Sequence, residues 1–181
     1  MGERTLRSMV SALIDHKIIP YVFDISRQPI LFRELLKINK MYIDGTIEGK
    51  MPGFKLKLFR FYILFLLLWH LILLPLIAIF HSLLAKLDCH LSIILAGLAT
   101  IIFFASFSIF KGWMIERVTL KLIKEAWRIH FPHFDYDKHA SQVAAIYAKA
   151  EEQEIPRKEL RLFVLNHLLS EKTPSGHTEE Y

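Results

Sequence analysis

The sequence predicts an all-α membrane protein, in which a two-helix transmembrane hairpin lies between two arms of amphipathic cytoplasmic helices. Two apolar runs predict the hairpin: residues 59–80 carry only Arg60 as a charge, and residues 91–110 carry none. A helix needs about 20 apolar residues to cross roughly 30 Å of hydrocarbon, and both runs reach that length. A short polar break at 82–90 predicts the loop between the two spans.

The predicted organisation has four parts. Residues 1–58 form the N-terminal arm, 59–110 the hairpin, and 111–172 a cytoplasmic helical region. The small, polar and acidic residues 173–181 are expected to be a disordered tail. Because each arm is too short to bury a large core alone, we expect the arms to pack on each other, on the membrane or on a partner.

Helical spacing of apolar residues predicts an amphipathic helix over residues 3–17. The apolar positions of this helix are Leu6, Met9, Val10, Leu13 and Ile14. Pro20 is expected to end the helix, because proline has no N–H to donate. Residues 18–25 are β-branched and aromatic, which allows a short extended piece. Pro29 opens a second predicted helix that runs to about Met41.

After the second span the helical pattern continues, so one long helix is expected to run to about Ile129, before Pro132. Another helix is predicted over residues 139–154, with Asp137 as its N-cap. A last helix is predicted over residues 156–170, because proline favours the first helical position. The apolar stripe of this last helix is Leu160, Phe163, Val164 and Leu168.

The distribution of Lys and Arg predicts the orientation of the hairpin, because these residues are retained on the cytoplasmic side. They accumulate at the outer ends of both spans, at Lys50, Lys55, Lys57, Arg60, Lys111, Arg117, Lys121, Lys124 and Arg128. The loop 82–90 offers Lys86 alone. We therefore expect a multi-pass protein of the bacterial cytoplasmic (inner) membrane with both termini cytoplasmic.

The positive charge also predicts contact with lipid. The net charge of +5 resides in the N-terminal arm and the first residues of the first span, because residues 1–60 hold 11 Lys and Arg against 6 Asp and Glu. Long basic side chains reach headgroups while their stems stay at the interface. The residues expected to contact headgroups are Lys55, Lys57, Arg60 and Lys111.

Two histidines lie in or near the first span. His70 is near its middle, and His81 follows three turns later on nearly the same face. One hypothesis is haem ligation, because imidazole is a common axial ligand. The second span has no histidine, so a second ligand would come from another copy or a partner. The alternative is a neutral His70 that donates a hydrogen bond to Thr100, Ser106 or a neighbouring carbonyl.

Small residues in the second span predict a helix-packing face. Gly97, Ala105 and Ser108 lie near one side of the helix, and small residues allow close approach of helices in a membrane. This face is expected to pack on the first span or on another protein. The flanking phenylalanines, Phe103, Phe104, Phe107 and Phe110, are expected to face lipid or a partner.

The densest group of possible metal ligands lies just after the long helix. It comprises His130, His133, Asp135, Asp137 and His139. Imidazole and carboxylate together suit Zn, Mn or Fe. The competing interpretation is a polar turn that caps the next helix, because loops collect Asp without binding metals.

The remaining motifs exclude several classes of function. The chain has no Gly-rich phosphate loop after a strand, no nucleophile with a base at diagnostic spacing and no zinc-finger spacing. Its single cysteine, Cys89, excludes an intrachain disulfide. Basic and acidic residues balance around the last two helices, so no nucleic-acid partner is expected.

These observations predict a non-catalytic accessory, assembly or scaffold subunit that docks a larger complex through its cytoplasmic helices. Its expected partners are the lipid bilayer and other membrane subunits or further copies of itself. No cofactor is predicted by this hypothesis. The alternatives are a haem or redox anchor centred on His70, and a divalent-metal enzyme using residues 130–139.

Overall fold

The structure is a computed structural model that describes residues 2–26, 28–47, 53–84 and 89–172. The elements are α1 (Gly2–Leu13), a π-helical turn (Ile14–Ile18), α2 (Ile19–Val22), β1 (Phe23–Ile25), α3 (Phe32–Ile43), β2 (Phe54–Leu56), α4 (Leu58–Leu84), α5 (Cys89–His130), α6 (Tyr136–Glu152) and α7 (Leu160–Lys172). The fold is mostly helical, as predicted. The expected disordered tail at 173–181 lies outside the described residues.

Two helices are long and apolar enough to cross a membrane. The apolar part of α4, Leu58–Phe80, has 23 residues, and its most apolar window of 18 residues has a mean hydropathy of 2.8. In α5 the apolar stretch lies within His90–His130, where the most apolar window of 18 residues has a mean hydropathy of 2.4. A core helix of a soluble protein is mostly buried, whereas the most apolar windows of these two helices are 6% and 0% buried. These properties suggest membrane association.

The chain divides into two compact units. The hairpin unit comprises the described residues of 1–25 and 54–115, and the helical unit those of 26–53 and 116–172. Each unit therefore combines residues from before the first apolar helix with residues from the second apolar helix or beyond it.

The short extended piece that residues 18–25 allow is present as β1, but its pairing into a two-stranded sheet of the hairpin unit was not predicted. Strand β1 pairs with β2 antiparallel, with Phe23 opposite Leu56 and Ile25 opposite Phe54. The expected helix stop at Pro20 is wrong, because Pro20 lies in the first turn of α2, where a residue without an N–H is tolerated. The helical path therefore continues through the π turn to Val22.

The helical unit has a core to which both arms contribute. The N-terminal arm supplies the buried α3 residues Leu35, Leu36 and Ile38, and the rest comes from α5, α6 and α7. These further core residues are Val118, Ile123 and Trp127 of α5, Val143, Ile146 and Tyr147 of α6, and Leu160, Val164 and Leu168 of α7. The arms pack on each other, which was one of the expected arrangements.

The predicted length of α5 is confirmed, because this helix ends at His130. Two other predicted boundaries are wrong. Asp135, not Asp137, is the N-cap of α6, because its Oδ1 accepts the backbone N–H of Asp137 at 2.9 Å. Helix α7 begins at Leu160, not at Pro156. The residues before it form a separate turn, in which the carbonyl of Pro156 accepts the N–H of Glu159.

Candidate functional site

Aromatic rings join α4 to α5 within the hairpin unit. The pairs and their centroid distances are Phe61 with Phe110 at 5.3 Å, Phe65 with Phe107 at 5.1 Å, and Trp69 with Phe103 at 5.3 Å. As residue numbers rise along α4 they fall along α5, so the two helices pair antiparallel. Edge-to-face and offset aromatic pairs of this kind are favourable beyond the area that they bury.

The small residues of α5 lie apart from this aromatic contact. A Cβ added at Gly97 would meet nothing within 4 Å, and both Ala105 and Ser108 are exposed. Within the described residues, the contact between α4 and α5 is therefore made by large rings. The packing of the small face against another chain stays a prediction.

The part of the hairpin nearer its loop is exposed. Apart from half-buried Leu73, every residue over 70–80 and 90–102 is exposed. His70 lies in this part, and its Nδ1 is 2.8 Å from the carbonyl oxygen of Leu66. Because a carbonyl only accepts, Nδ1 carries the proton and Nε2 has the lone pair in the neutral ring. The side chain of His81 lies outside the described part of the chain, so haem ligation stays a prediction.

Basic residues tie the N-terminal segment to the start of α4. The backbone N–H of Lys57 donates to the carbonyl of Val22 at 2.8 Å, and its Nζ lies 3.8 Å from Asp24 Oδ1. Arg60 donates to the carbonyl of Tyr21 at 3.4 Å, and its guanidinium lies 5.3 Å from the centre of the Tyr21 ring. Lys55 and Arg60 are exposed, as headgroup contact requires.

Helix α5 carries a similar set of residues where it lies beside the start of α4. Lys111 and exposed Trp113 follow Phe110, which stacks on Phe61 next to Arg60. The basic residues of both helices therefore lie at the same end of the hairpin unit. Lys, Arg and Trp together are typical of a membrane–water interface.

The predicted metal ligands at 130–139 have separate structural roles. His130 Nε2 donates to the carbonyl of Ile30 at 2.8 Å, and His139 Nδ1 donates to that of Asp135 at 2.9 Å. Asp137 Oδ1 pairs with Lys124 Nζ at 2.9 Å. His133 is exposed. In the described ranges, no group of three or more His, Cys, Asp or Glu is arranged to hold a metal ion.

The same turn contains an aromatic cluster that the sequence did not reveal. Trp127 Nε1 donates to the carbonyl of Phe134 at 2.8 Å, and the Trp127 ring lies edge-on to Tyr136 at 5.1 Å. The buried Tyr136 hydroxyl has no hydrogen-bond partner among the residues that the structure describes. Burial is the main cause that raises the pKa of Tyr136, and the charges of Tyr42 and Asp137 add to it.

A polar surface cavity of about 340 Å³ lies between α3 and α6 of the helical unit. Its lining includes Arg33, Tyr147, Glu151 and Arg157. Burial raises the pKa of Tyr147, as does its hydrogen bond to Glu151, while Arg33 acts in the opposite direction. Tyr147 of α6 therefore interacts with Arg33 of α3, which indicates a structural link between these two helices.

Helix α7 has two apolar faces. The inner face, Leu160, Val164 and Leu168, is buried and corresponds to the predicted stripe, of which the fourth member, Phe163, is half-buried. On the opposite side, Leu162 and Leu169 are 64% and 53% exposed, and half-buried Leu165 lies between them. These three positions have the i, i+3, i+7 spacing of a single helix face. We call them the outer face of α7.

Comparisons of the chain with protein-family models, with curated proteins and with solved structures found no match. The class that the fold defines is a mostly helical protein with two apolar helices long enough to cross a membrane.

Proposed function

We propose that this protein is a non-catalytic accessory subunit of a membrane complex, anchored by α4 and α5. Its partner is another protein subunit that covers the outer face of α7. The observation that carries the proposal is the second apolar face of α7, because Leu162 and Leu169 remain exposed after the inner face is buried in the core. Exposed apolar groups aligned on one helix are typical of helix-mediated protein recognition.

The shared core of the helical unit supports the anchoring arrangement. Residues 26–53 precede the first apolar helix and residues 116–172 follow the apolar part of the second, yet both build one core. Two segments can pack together only when they are on the same side of a membrane. The chain between them must therefore cross an even number of times, as a two-span hairpin does.

The charge distribution supports a cytoplasmic location for both arms. Lys55, Lys57, Arg60 and Lys111 lie at the end of the hairpin that leads into the helical unit. Lys and Arg next to spans are retained in the cytoplasm. We propose the bacterial cytoplasmic membrane as the site of the protein, with the loop around Cys89 on the far side.

Labelling of Cys89 tests this orientation. A membrane-impermeant maleimide should label Cys89 in cells whose outer layer has been permeabilised, without lysis of the inner membrane. A cysteine placed at exposed Lys149 in a Cys89→Ser background is the control for the opposite side and should react only after lysis. The reverse pattern would contradict the proposed topology.

Native mass spectrometry after gentle extraction tests the docking function. The wild-type chain of 21.2 kDa should appear with the mass of a further subunit, and Leu162→Glu together with Leu169→Glu should remove that mass. The matched control is Ile129→Glu, because Ile129 is 62% exposed and lies in the same unit on a different helix. This control should retain the partner.

The outcomes separate the proposed partner from other occupants. A particle made only of whole copies of this chain, unchanged by the double variant, would contradict the accessory-subunit proposal. Loss of a dimer mass in the double variant would identify a second copy as the occupant. An added haem mass with wild-type subunit composition would favour the His70 hypothesis instead.

A further inference from the structure

Helix α1 exposes an apolar face that belongs to the hairpin unit. Met9, Val10 and Leu13 are each more than half exposed. Their spacing places them within about one quadrant of the helix, since successive residues are separated by about 100°. Ser8 and Ala12 are also exposed, and they lie on the adjacent side of the helix, which carries small and polar residues. The helix therefore presents one apolar side and one weakly polar side.

Contacts of residues 19–22 fix the position of the N-terminal segment along the axis of α4. Ile19 and Val22 of α2 are fully buried, and the Val22 carbonyl accepts the N–H of Lys57, one residue before α4 begins. Arg60 contacts both the carbonyl and the ring of Tyr21. The end of the segment is thereby held at the basic end of α4, which is the expected membrane–water interface.

Because of the π turn, the exposed apolar residues of α1 and the buried apolar residues of α2 face different directions. It comprises Ile14–Ile18 and closes with the N–H of Ile19 on the carbonyl of Ile14. A π turn uses more residues than an α turn, so side chains after it face a different direction from those of an uninterrupted α-helix. Ile19 and Val22 can therefore be buried in the unit while Met9 and Leu13 remain exposed.

Residues of the interface type surround this segment. Lys17 and Tyr21 are exposed, and Lys55, Arg60 and Trp113 are exposed on the same unit. Basic residues are attracted to anionic headgroups by about 1 kcal/mol each near the surface. Tyr and Trp favour the headgroup level, where their polar groups meet water and their rings meet acyl chains.

We infer that α1 lies on the cytoplasmic surface of the bilayer, with Met9, Val10 and Leu13 inserted at the boundary between headgroups and acyl chains. The partner of this face is the lipid surface, and the depth of insertion is about 5–10 Å. The inference rests on the proposal that α4 and α5 span the membrane. Under it, α1 adds a surface anchor that sets the position of the N-terminal segment against the bilayer.

Site-specific fluorescence in vesicles tests this inference. Single cysteines are introduced in a Cys89→Ser background by Met9→Cys, Leu13→Cys, Ala12→Cys and Ile101→Cys, and each is labelled with an environment-sensitive dye. The full chain is reconstituted in vesicles of phosphatidylethanolamine and phosphatidylglycerol. Lipids that carry a quencher near the headgroup, or deep in the acyl chain, then report the depth of each label.

The expected result is a blue-shifted emission at positions 9 and 13 with quenching by the shallow quencher. Position 12 should emit as in water, which shows that one face inserts rather than the whole helix. Position 101, exposed on α5, should be quenched by the deep quencher. This control tests whether α5 is inserted in the membrane, independently of the position of α1.

Two results would overturn the inference while the anchoring stands. With position 101 quenched deeply, a water-like emission at positions 9 and 13 would show that the face is not in lipid. A blue shift at these positions without quenching by either lipid would show a protein contact instead. A water-like emission at position 101 as well would overturn both the anchoring and the inference that rests on it.

Discussion

Asn39 donates a hydrogen bond from Nδ2 to the backbone carbonyl of Ala140 at 2.8 Å, across 101 positions of sequence. Both residues are buried, and Asn39 has no exposed surface at all. This bond joins α3 of the N-terminal arm to α6 of the C-terminal region. It therefore links the two segments, 26–53 and 116–172, that build the core of the helical unit.

Replacement of Asn39 tests the importance of this link. Asn39→Ala should lower the free energy of unfolding by about 1–3 kcal/mol, because it removes a buried hydrogen bond and leaves a small cavity. Asn39→Asp should cost more, since a carboxylate cannot donate to a carbonyl and would be buried with its charge. Thermal unfolding of the detergent-solubilised chain, followed by circular dichroism, measures both effects.

The control for these variants is Lys37→Ala, an exposed position of the same helix. Its effect should stay within about 0.5 kcal/mol. Equal destabilisation by Asn39→Ala and Lys37→Ala would show that the bond to Ala140 contributes nothing specific to the union of α3 and α6.

The two aspartates before α6 provide a second test. Asp135→Ala should destabilise the chain by about 1 kcal/mol, because Asp135 accepts the N–H of Asp137 and caps the helix. Asp137→Ala should cost less, since the Asp137 carboxylate is exposed and an exposed ion pair, here with Lys124, contributes little. Chemical denaturation of the two variants under identical conditions compares them. A larger loss for Asp137→Ala would contradict the cap assignment.

The apolar helices and the continuation of α5 to His130 were predictable, because apolar runs and helical periodicity are local properties of a sequence. The bond from Asn39 to Ala140 was not, because its partners lie far apart in the chain. The strands β1 and β2 have three residues each, too few to show an alternating pattern. Asp137 was predicted as the cap, and the role of Asp135 became evident only when the backbone between the two residues was known.

The outer face of α7 and the residues proposed as metal ligands likewise depend on the tertiary structure, which local sequence patterns do not predict. The inner stripe of α7 was predictable from its spacing, and one apolar stripe accounts for packing into a core. The outer face became evident only when Leu162 and Leu169 were seen to remain exposed. The five residues proposed as metal ligands are close in sequence, but the turn directs His130 to Ile30 and Asp137 to Lys124.

A pair of tyrosines gives a third prediction at neutral pH. Tyr136→Phe should leave stability unchanged or raise it by up to about 1 kcal/mol, because the buried Tyr136 hydroxyl has no partner among the described residues. The ring contacts with Trp127 and Lys124 are retained in this variant. Tyr147→Phe should instead lose about 1 kcal/mol, since it removes hydrogen bonds to Glu151 and Arg33. Thermal unfolding at pH 7 distinguishes the two.

The same tyrosines predict a loss of stability in alkali. Burial raises the pKa of Tyr136 and of Tyr147 above the ordinary value of 10.0. With rising pH the unfolded chain therefore releases these protons first, so their contribution is complete below pH 10.0 and is lost as the pH rises towards the folded pKa. Unfolding temperatures between neutral and strongly alkaline pH should fall less steeply in Tyr136→Phe than in wild type. Identical slopes would contradict this prediction.

The aromatic contact between α4 and α5 yields the last prediction. Phe65 is buried and its ring contacts Trp69, Phe103, Phe107 and Phe110. Phe65→Ala should destabilise the hairpin by about 2–4 kcal/mol, because it removes ring contacts and leaves a cavity. Van der Waals contacts of this kind drive the packing of helices in a membrane. Phe104→Ala is the matched control, since Phe104 is exposed on α5 and should cost about 1 kcal/mol or less. Reversible unfolding in mixed micelles of increasing denaturing-detergent fraction measures both, and equal effects would mean that the rings do not hold the two helices together.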